Sequence, residues 1–401
     1  MTQLLQIQPP TQASGTGAAG FALWRLGFRP FYLLGALFAA FAVPLWALLW
    51  GGGTRMDTGI APQWWHAHEM VFGFALAIVT GFLFTAVRNW TGRDTPTGVR
   101  LALLCALWLL VRAAFLAGAP TLGVVLELAF LVLVAHTLLS NLVAAGNRRN
   151  YFVALMFVVL ALLDLCFLAA VRGWMPALPA GTLLRAALYL VVTLTFVIGG
   201  RVIPMFTLNA VRGIVQRRSV ALDRAAIGVG AAAFVLDLAG SAPLVLAPAA
   251  FAAAALHAVR LEGWRPLATR GRPILWILHL SCAWIPVGFV LMGTAALGWT
   301  PTTLTVHAFA LGVVGGLVIG MITRTALGHT GRLLVAGRSE TAMYLLVHAA
   351  ALTRVAVPLL APPAYATAVG VSAALWSAAF LLYAIVYWPR LSRPRVDGKE
   401  G

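Results

Sequence analysis

The chain has 401 residues, 61% of them hydrophobic and only 10% charged, with 28 basic residues against 11 acids and a formal net charge of +17. A soluble domain holds about 45–50% apolar and about 25% charged residues, so this composition excludes a soluble enzyme, a nucleic-acid module and a disordered regulator. A basic balance can signal nucleic acid, but here the arginines stand between apolar runs, as they do in an integral membrane protein.

Residues 1–20 are rich in Gln, Thr, Pro, Gly and Ala and carry no basic residue, unlike the positive start of a signal peptide. Residues 1–24 read as a flexible cytoplasmic tail, 25–390 as one transmembrane domain, and 391–401 as a short basic cytoplasmic tail. A spanning helix needs ~20 mostly apolar residues. Twelve such runs occur, at about 30–50, 65–87, 99–117, 121–145, 151–171, 181–203, 222–240, 243–259, 273–293, 302–322, 341–360 and 364–388. Backbone groups in hydrocarbon must pair internally, so helices are the default. The expected fold is all-α, with twelve transmembrane helices. Cys105, Cys166 and Cys282 lie far apart in apolar runs and form no CxxC pair or disulfide framework.

Arginine placement orients the bundle. Arg55 and Arg172 fall in odd-numbered loops, and Arg112, Arg185 and Arg354 fall inside spans. Every other basic residue lies in the N-terminal segment, an even-numbered loop or the C-terminus. The positive-inside rule then places both termini in the cytoplasm.

The second and tenth runs resemble each other at an offset of 239 residues: His68 with His307, Gly73 with Gly312, Gly81 with Gly320, and Thr91-Gly92-Arg93 with Thr330-Gly331-Arg332. Val197-Ile198-Gly199 in the sixth run is a weaker third copy. Three four-helix units are therefore expected. Small residues at every fourth position also arise from close helix packing, which accounts for the stripe but less well for the matched histidine.

Ionisable groups at membrane depth are functional candidates by default. His68, His136, His279, His307 and His348 lie within apolar runs, and His66 opens the second. On a regular helix His66 and His68 are about 200° apart, so they serve opposite sides, with His66 on the face of Gly73, Ala77 and Gly81. A glycine face leaves room for a flat cofactor, and imidazole suits haem iron and copper. His66, His68 and His307 share a depth near the outer surface. They are the first candidates for metal ligands, with His348, His136 and His279 behind them and Gly73 and Gly312 lining the cofactor. Glu69 can orient a ligand or carry a proton. Arg354, Arg185 and Arg112 can hold haem propionates, although Asp164 offers one of them a structural ion pair instead.

Several motifs together resemble the NnrS family. They are Leu26-Gly27-Phe28-Arg29-Pro30-Phe31 and Trp65-His66-Ala67-His68-Glu69-Met70, the latter continuing through Gly73-Phe74, Gly81-Phe82 and Asn89-Trp90-Thr91-Gly92. Gly200-Arg201-Val202-Ile203-Pro204, His307-Ala308 and Leu327-Gly328-His329-Thr330-Gly331-Arg332 belong to the same set. Arg88 departs from the pattern. The resemblance implies a polytopic protein of the bacterial inner membrane, containing haem and copper and linked to nitric oxide metabolism and protection against nitrosative stress. By analogy of fold, the three-unit reading is similar to the pseudo-threefold core of the haem-copper oxidases.

These readings converge on a membrane haem/copper protein that binds or turns over nitric oxide, as a nitric oxide reductase-like oxidoreductase would. Its electron donor is unknown, since the chain has no CxxCH site. The rivals are a proton- or metal-coupled secondary transporter and a non-catalytic haem or nitric oxide sensor.

Overall fold

Proline at the first position opens four of the helices that the apolar runs form. Proline suits a helix start because its missing N–H has no intrahelical partner to lose. Pro62, Pro120, Pro243 and Pro273 each open a helix. Gly92, left-handed at φ +67°, closes the second. The computed structural model describes residues 20–54 and 56–399. Most of the expected N-terminal tail, and Arg55, lie outside the described residues.

Twelve long helices result: α1 (Phe28–Trp50), α2 (Pro62–Thr91), α3 (Gly98–Leu116), α4 (Pro120–Ala144), α5 (Tyr151–Val171), α6 (Ala180–Ala210), α7 (Val220–Leu238), α8 (Pro243–Gly263), α9 (Pro273–Ala296), α10 (Thr302–His329), α11 (Arg338–Leu360) and α12 (Tyr365–Ser392). No strand occurs among the described residues. Eleven helices are long and apolar enough to cross a membrane. The exception, α7, has the length but carries Asp223, Arg224 and Asp237. It packs against α8, so the pair forms a hairpin that keeps the basic loops on either side of it at one end of the bundle. Outward-facing leucine and isoleucine, such as Leu103, Leu162 and Ile385, are more than half exposed, as expected where lipid is the solvent.

The bundle closes because α1 packs along α12, while α2, α6 and α10 each touch the other two. These are the second helices of the three four-helix units. The repeat between α2 and α10 extends to the backbone. Each is interrupted by a π-helical segment, Glu69–Ala75 and Ala308–Gly315, beginning immediately after the matched His68 and His307. The sixth helix has no such segment among the described residues.

The small-residue stripe is helix packing. A Cβ at Gly81 would lie 2.9 Å from the Phe31 Cβ and 3.1 Å from the Phe28 backbone, and one at Gly320 would lie 2.8 Å from Leu278. At the arginine-rich end the first and last described segments, around Ala22–Arg29 and Leu391–Arg393, are clasped together. Arg29, fully buried, donates to the carbonyls of Leu391 and Arg393 at 2.7 and 2.8 Å, meeting carbonyls that the end of α12 leaves unpaired. Ala22 and Leu23 are buried, and the Ala22 N–H bonds to the Ser392 carbonyl. The tail expected over residues 1–24 is therefore docked from Ala22 onward, because its last residues are apolar.

Candidate functional site

A cavity of about 420 Å³ lies among α1, α2, α6, α10, α11 and α12, towards the arginine-poor end of the bundle. Its walls are mainly apolar, and four groups at its rim can do chemistry: His66, His307, Arg354 and Arg185. This volume falls in the range of small-molecule and cofactor sites.

His307 is held by its own helix. Its Nδ1 lies 2.7 Å from the Thr303 carbonyl oxygen, one turn back. A carbonyl only accepts, so Nδ1 carries the proton and the Nε2 lone pair is left free. Metal-bound imidazoles are oriented in this way. His66 stacks on Trp46, with ring centres 4.1 Å apart and planes 21° apart. Its buried Nδ1 has no hydrogen-bond partner among the described residues.

Arg354 is 4% exposed. Its Nη2 donates to the Tyr365 hydroxyl at 2.9 Å, and its guanidinium lies 4.9 Å from the centre of that ring. Its Nη1 is buried without a partner, and among the described residues no carboxylate pairs with it. A desolvated cation left this way suits an anionic guest. Arg185 is less free, since its Nε lies 3.3 Å from Asp237, which also accepts from the Tyr189 hydroxyl at 2.9 Å.

The π segment of α2 corrects the face expected for His66. It takes an extra residue per turn, so the helix surface beyond it is rotated. Met70, Phe74 and Ala75 continue the His66 side into the cavity. Gly73 instead lies under Phe38 and Arg112, where a Cβ would come within 2.6 Å of the guanidinium, and Gly312 packs on the Trp284 indole. Neither glycine lines the cavity.

His68 faces away from the cavity, into a buried ionic cluster. Its Nδ1 is 3.0 Å from Glu69 and its Nε2 is 2.9 Å from Asp164. Arg112 bridges Glu69, at 2.9 Å, and Glu127. All five side chains are 4% exposed or less. Carboxylates only accept, so the two His68 contacts require a doubly protonated ring or one protonated carboxyl. With both ring nitrogens engaged, His68 is not a ligand in the cavity. Arg112 is tied to Glu69 and Glu127, and neither Arg112 nor Glu69 lines the cavity. Asp164 pairs with His68 rather than with one of the three arginines.

The remaining candidates are dispersed. The Trp284 indole N–H donates to His348 Nδ1 at 3.2 Å, and Ser281 sits by its Nε2. His279 bonds to the Thr207 hydroxyl at 2.8 Å, and His136 faces outward, exposed, on α4. Among the described residues no group of three or more His, Cys, Asp or Glu is placed to hold a metal ion. Sequence reasoning missed Trp46, Thr303, Tyr365 and Glu127. Glu127 had a signal, an acid in the middle of an apolar run, and Thr303 had the one-turn spacing to His307.

A match to the family described as NnrS protein runs over residues 22–395, nearly the whole chain. The chain belongs to the NnrS family. No protein of curated function matches it. In this NnrS protein the Leu26–Phe31 motif forms the clasp, since Arg29 caps α12 and a Cβ at Gly27 would strike Phe84. The Trp65–Met70 motif supplies both the cavity, through His66, and the ionic cluster, through His68 and Glu69.

Proposed function

We propose that the cavity holds a haem and that nitric oxide binds there, in a membrane protein that protects against nitrosative stress. One observation carries this reading. A tautomer-fixed imidazole, a second imidazole and a buried arginine with an unpartnered N–H converge on one apolar cavity at membrane depth. These residues fit a haem. His307 would hold the haem iron through Nε2, and Arg354, with Arg185 at the rim, would hold the propionates. Bound haem iron supplies diatomic-ligand binding and electron exchange. The protein's own part is to hold Nε2 of His307 in line through Thr303, to place His66 on the same cavity, and to exclude water with its apolar walls. A neutral gas partitions easily into such walls from the bilayer. Copper fits less well, because the set of His66, His68 and His307 does not assemble, and no step is assigned to it.

The reading further places the protein in a bacterial inner membrane, with the arginine-rich end and both termini in the cytoplasm. The ionic cluster of His68, Glu69, Asp164, Arg112 and Glu127 favours the second reading, proton-coupled transport, because buried acids in spans often carry protons. An absorption spectrum and metal analysis of purified protein separate the two. A porphyrin spectrum that shifts with nitric oxide under anaerobic conditions is expected. A folded, colourless preparation would sink the haem reading and favour transport. Nitric oxide consumption with an added electron donor would show a reductase, and binding alone a sensor.

A further inference from the structure

At the arginine-rich end, α10 and α11 are joined by a loop that presents three apolar residues to the outside. Leu333, Leu334 and Val335 are 81%, 44% and 67% exposed, with Arg332 before them and Arg338 after. Beside this loop, at the start of α11, is a shallow, open groove lined by Ala336, Gly337, Arg338, Thr341, Ala342 and Leu345. From its floor an apolar track continues along one stripe of α11. Leu345, Leu352 and Leu359, seven residues apart, are 57%, 56% and 46% exposed.

The charges here are unbalanced. Glu340 is engaged by Arg390 at 2.6 Å and by the Tyr387 hydroxyl at 3.0 Å, and Asp397 is engaged by Arg395. Among the described residues no acid pairs with Arg332 or Arg338. The pKa of Arg332 is lowered, first by burial and then by its like-charged neighbours Arg390 and Arg393. An anion brought to this place would relieve that repulsion. Trp388, half exposed on the last turns of α12, marks the membrane–water boundary at the same end. A cationic head at headgroup level, leading into an apolar track along a lipid-facing helix, matches a phospholipid in charge, polarity and direction. A soluble protein partner would have no use for the track.

We propose that this end of the protein binds an anionic phospholipid, with the phosphate at Arg332 and Arg338 and an acyl chain in the groove along Ala342 and Leu345. The site is independent of the cavity and of any haem. The test titrates purified protein in neutral detergent with short-chain phosphatidylglycerol, phosphatidylcholine or inorganic phosphate, reading thermal midpoint and lipid retained by mass spectrometry.

Phosphatidylglycerol should raise the midpoint and remain bound, while phosphatidylcholine should do neither. Arg332→Gln and Arg338→Gln should each weaken phosphatidylglycerol about five-fold, the equivalent of about 1 kcal/mol for a basic residue near an anionic surface. Ala342→Trp fills the groove from outside the bundle, so it should abolish lipid retention without lowering the midpoint of the lipid-free protein. Equal binding of both lipids, or full phosphatidylglycerol affinity in the double arginine variant, overturns the proposal. Inorganic phosphate that reproduces the whole effect, with Ala342→Trp silent, overturns it too, because the groove would then hold no chain.

Discussion

His66 and His68 are one residue apart and look in opposite directions, the first onto Trp46 and the cavity, the second onto Asp164 at 2.9 Å. A single turn of α2 therefore serves two buried polar centres at once. The cavity presents nitrogens without partners, which is what a guest requires. The ionic cluster has tied its charges to one another, which is what a fold requires. The two centres should respond differently to substitution.

If the cavity holds the proposed haem, His307→Ala and His66→Ala should lower haem bound per folded protein, with His307→Ala the more severe because the Thr303 carbonyl orients its free Nε2. Arg354→Gln should weaken retention, while His68→Gln should leave the haem content unchanged. The ratio of Soret to protein absorbance in purified variants checks this. Equal retention in the His66, His307 and Arg354 variants would mean that the cavity is not the haem site.

Arg112→Gln should act on stability. It strands Glu127 and leaves Glu69 with His68 alone, both acids being 1% exposed or less, and removing one partner of a buried ion pair costs about 3–5 kcal/mol. The variant should unfold at much lower temperature in detergent, yet its folded fraction should carry haem in the normal ratio. Glu127→Gln keeps a hydrogen-bonding oxygen and should be milder. An Arg112 variant of normal stability that lost haem would move this cluster to the functional site.

How far the sequence could be read follows from these residues. Hydropathy locates the helices, because a bilayer imposes length and apolarity on a span, and eleven of the twelve meet that demand, α7 with its three charges being the exception. It could not show that α2 and α10 contain π segments, since no composition distinguishes that turn from a regular one. The face of Gly73 was consequently assigned to the wrong side. His307 and Arg354 were legible as polar groups at membrane depth. Their convergence with His66 was not, because it depends on α2, α10 and α11 meeting around one space. Asp164 was visible as a buried acid, but its partner lies 96 residues away on another helix, and only packing decides that pairing.

Gly81→Ala should separate two helices. The added methyl would lie 2.9 Å from the Phe31 side chain and 3.1 Å from the α1 backbone at Phe28, and backbone cannot swing aside as a side-chain tip can. Overpacking of this kind costs about 1–3 kcal/mol. Because Arg29 lies in the same stretch of α1, the clasp should loosen as well. A lowered thermal midpoint and faster proteolysis near the C-terminus are expected, whereas Gly228→Ala, in open space on α7, should change neither. A Gly81 variant as stable as the parent would show that α1 and α2 are not in contact there.

The C-terminal segment carries the pH-sensitive part of the clasp. Arg395 holds the Asp397 carboxyl down to about 2 from its ordinary 3.8, chiefly by hydrogen bonding, and Asp397 raises the pKa of Arg395 in turn. A depressed acid stabilises the folded arrangement fully above its ordinary value and loses that contribution as pH falls towards the depressed one. The tail should therefore stay docked between about pH 5 and 8 and loosen as pH falls below about 5. The pair is partly exposed, so it contributes at most about 1 kcal/mol, about a five-fold change in protection. The Val396 amide reports on it directly, being bonded to the Thr330 carbonyl at 3.2 Å. Its hydrogen exchange, corrected for the intrinsic rate, should be flat from pH 8 to 5 and accelerate below that. Asp397→Asn should show the accelerated rate already at neutral pH, and equal protection in variant and parent would show that this pair does not fasten the tail.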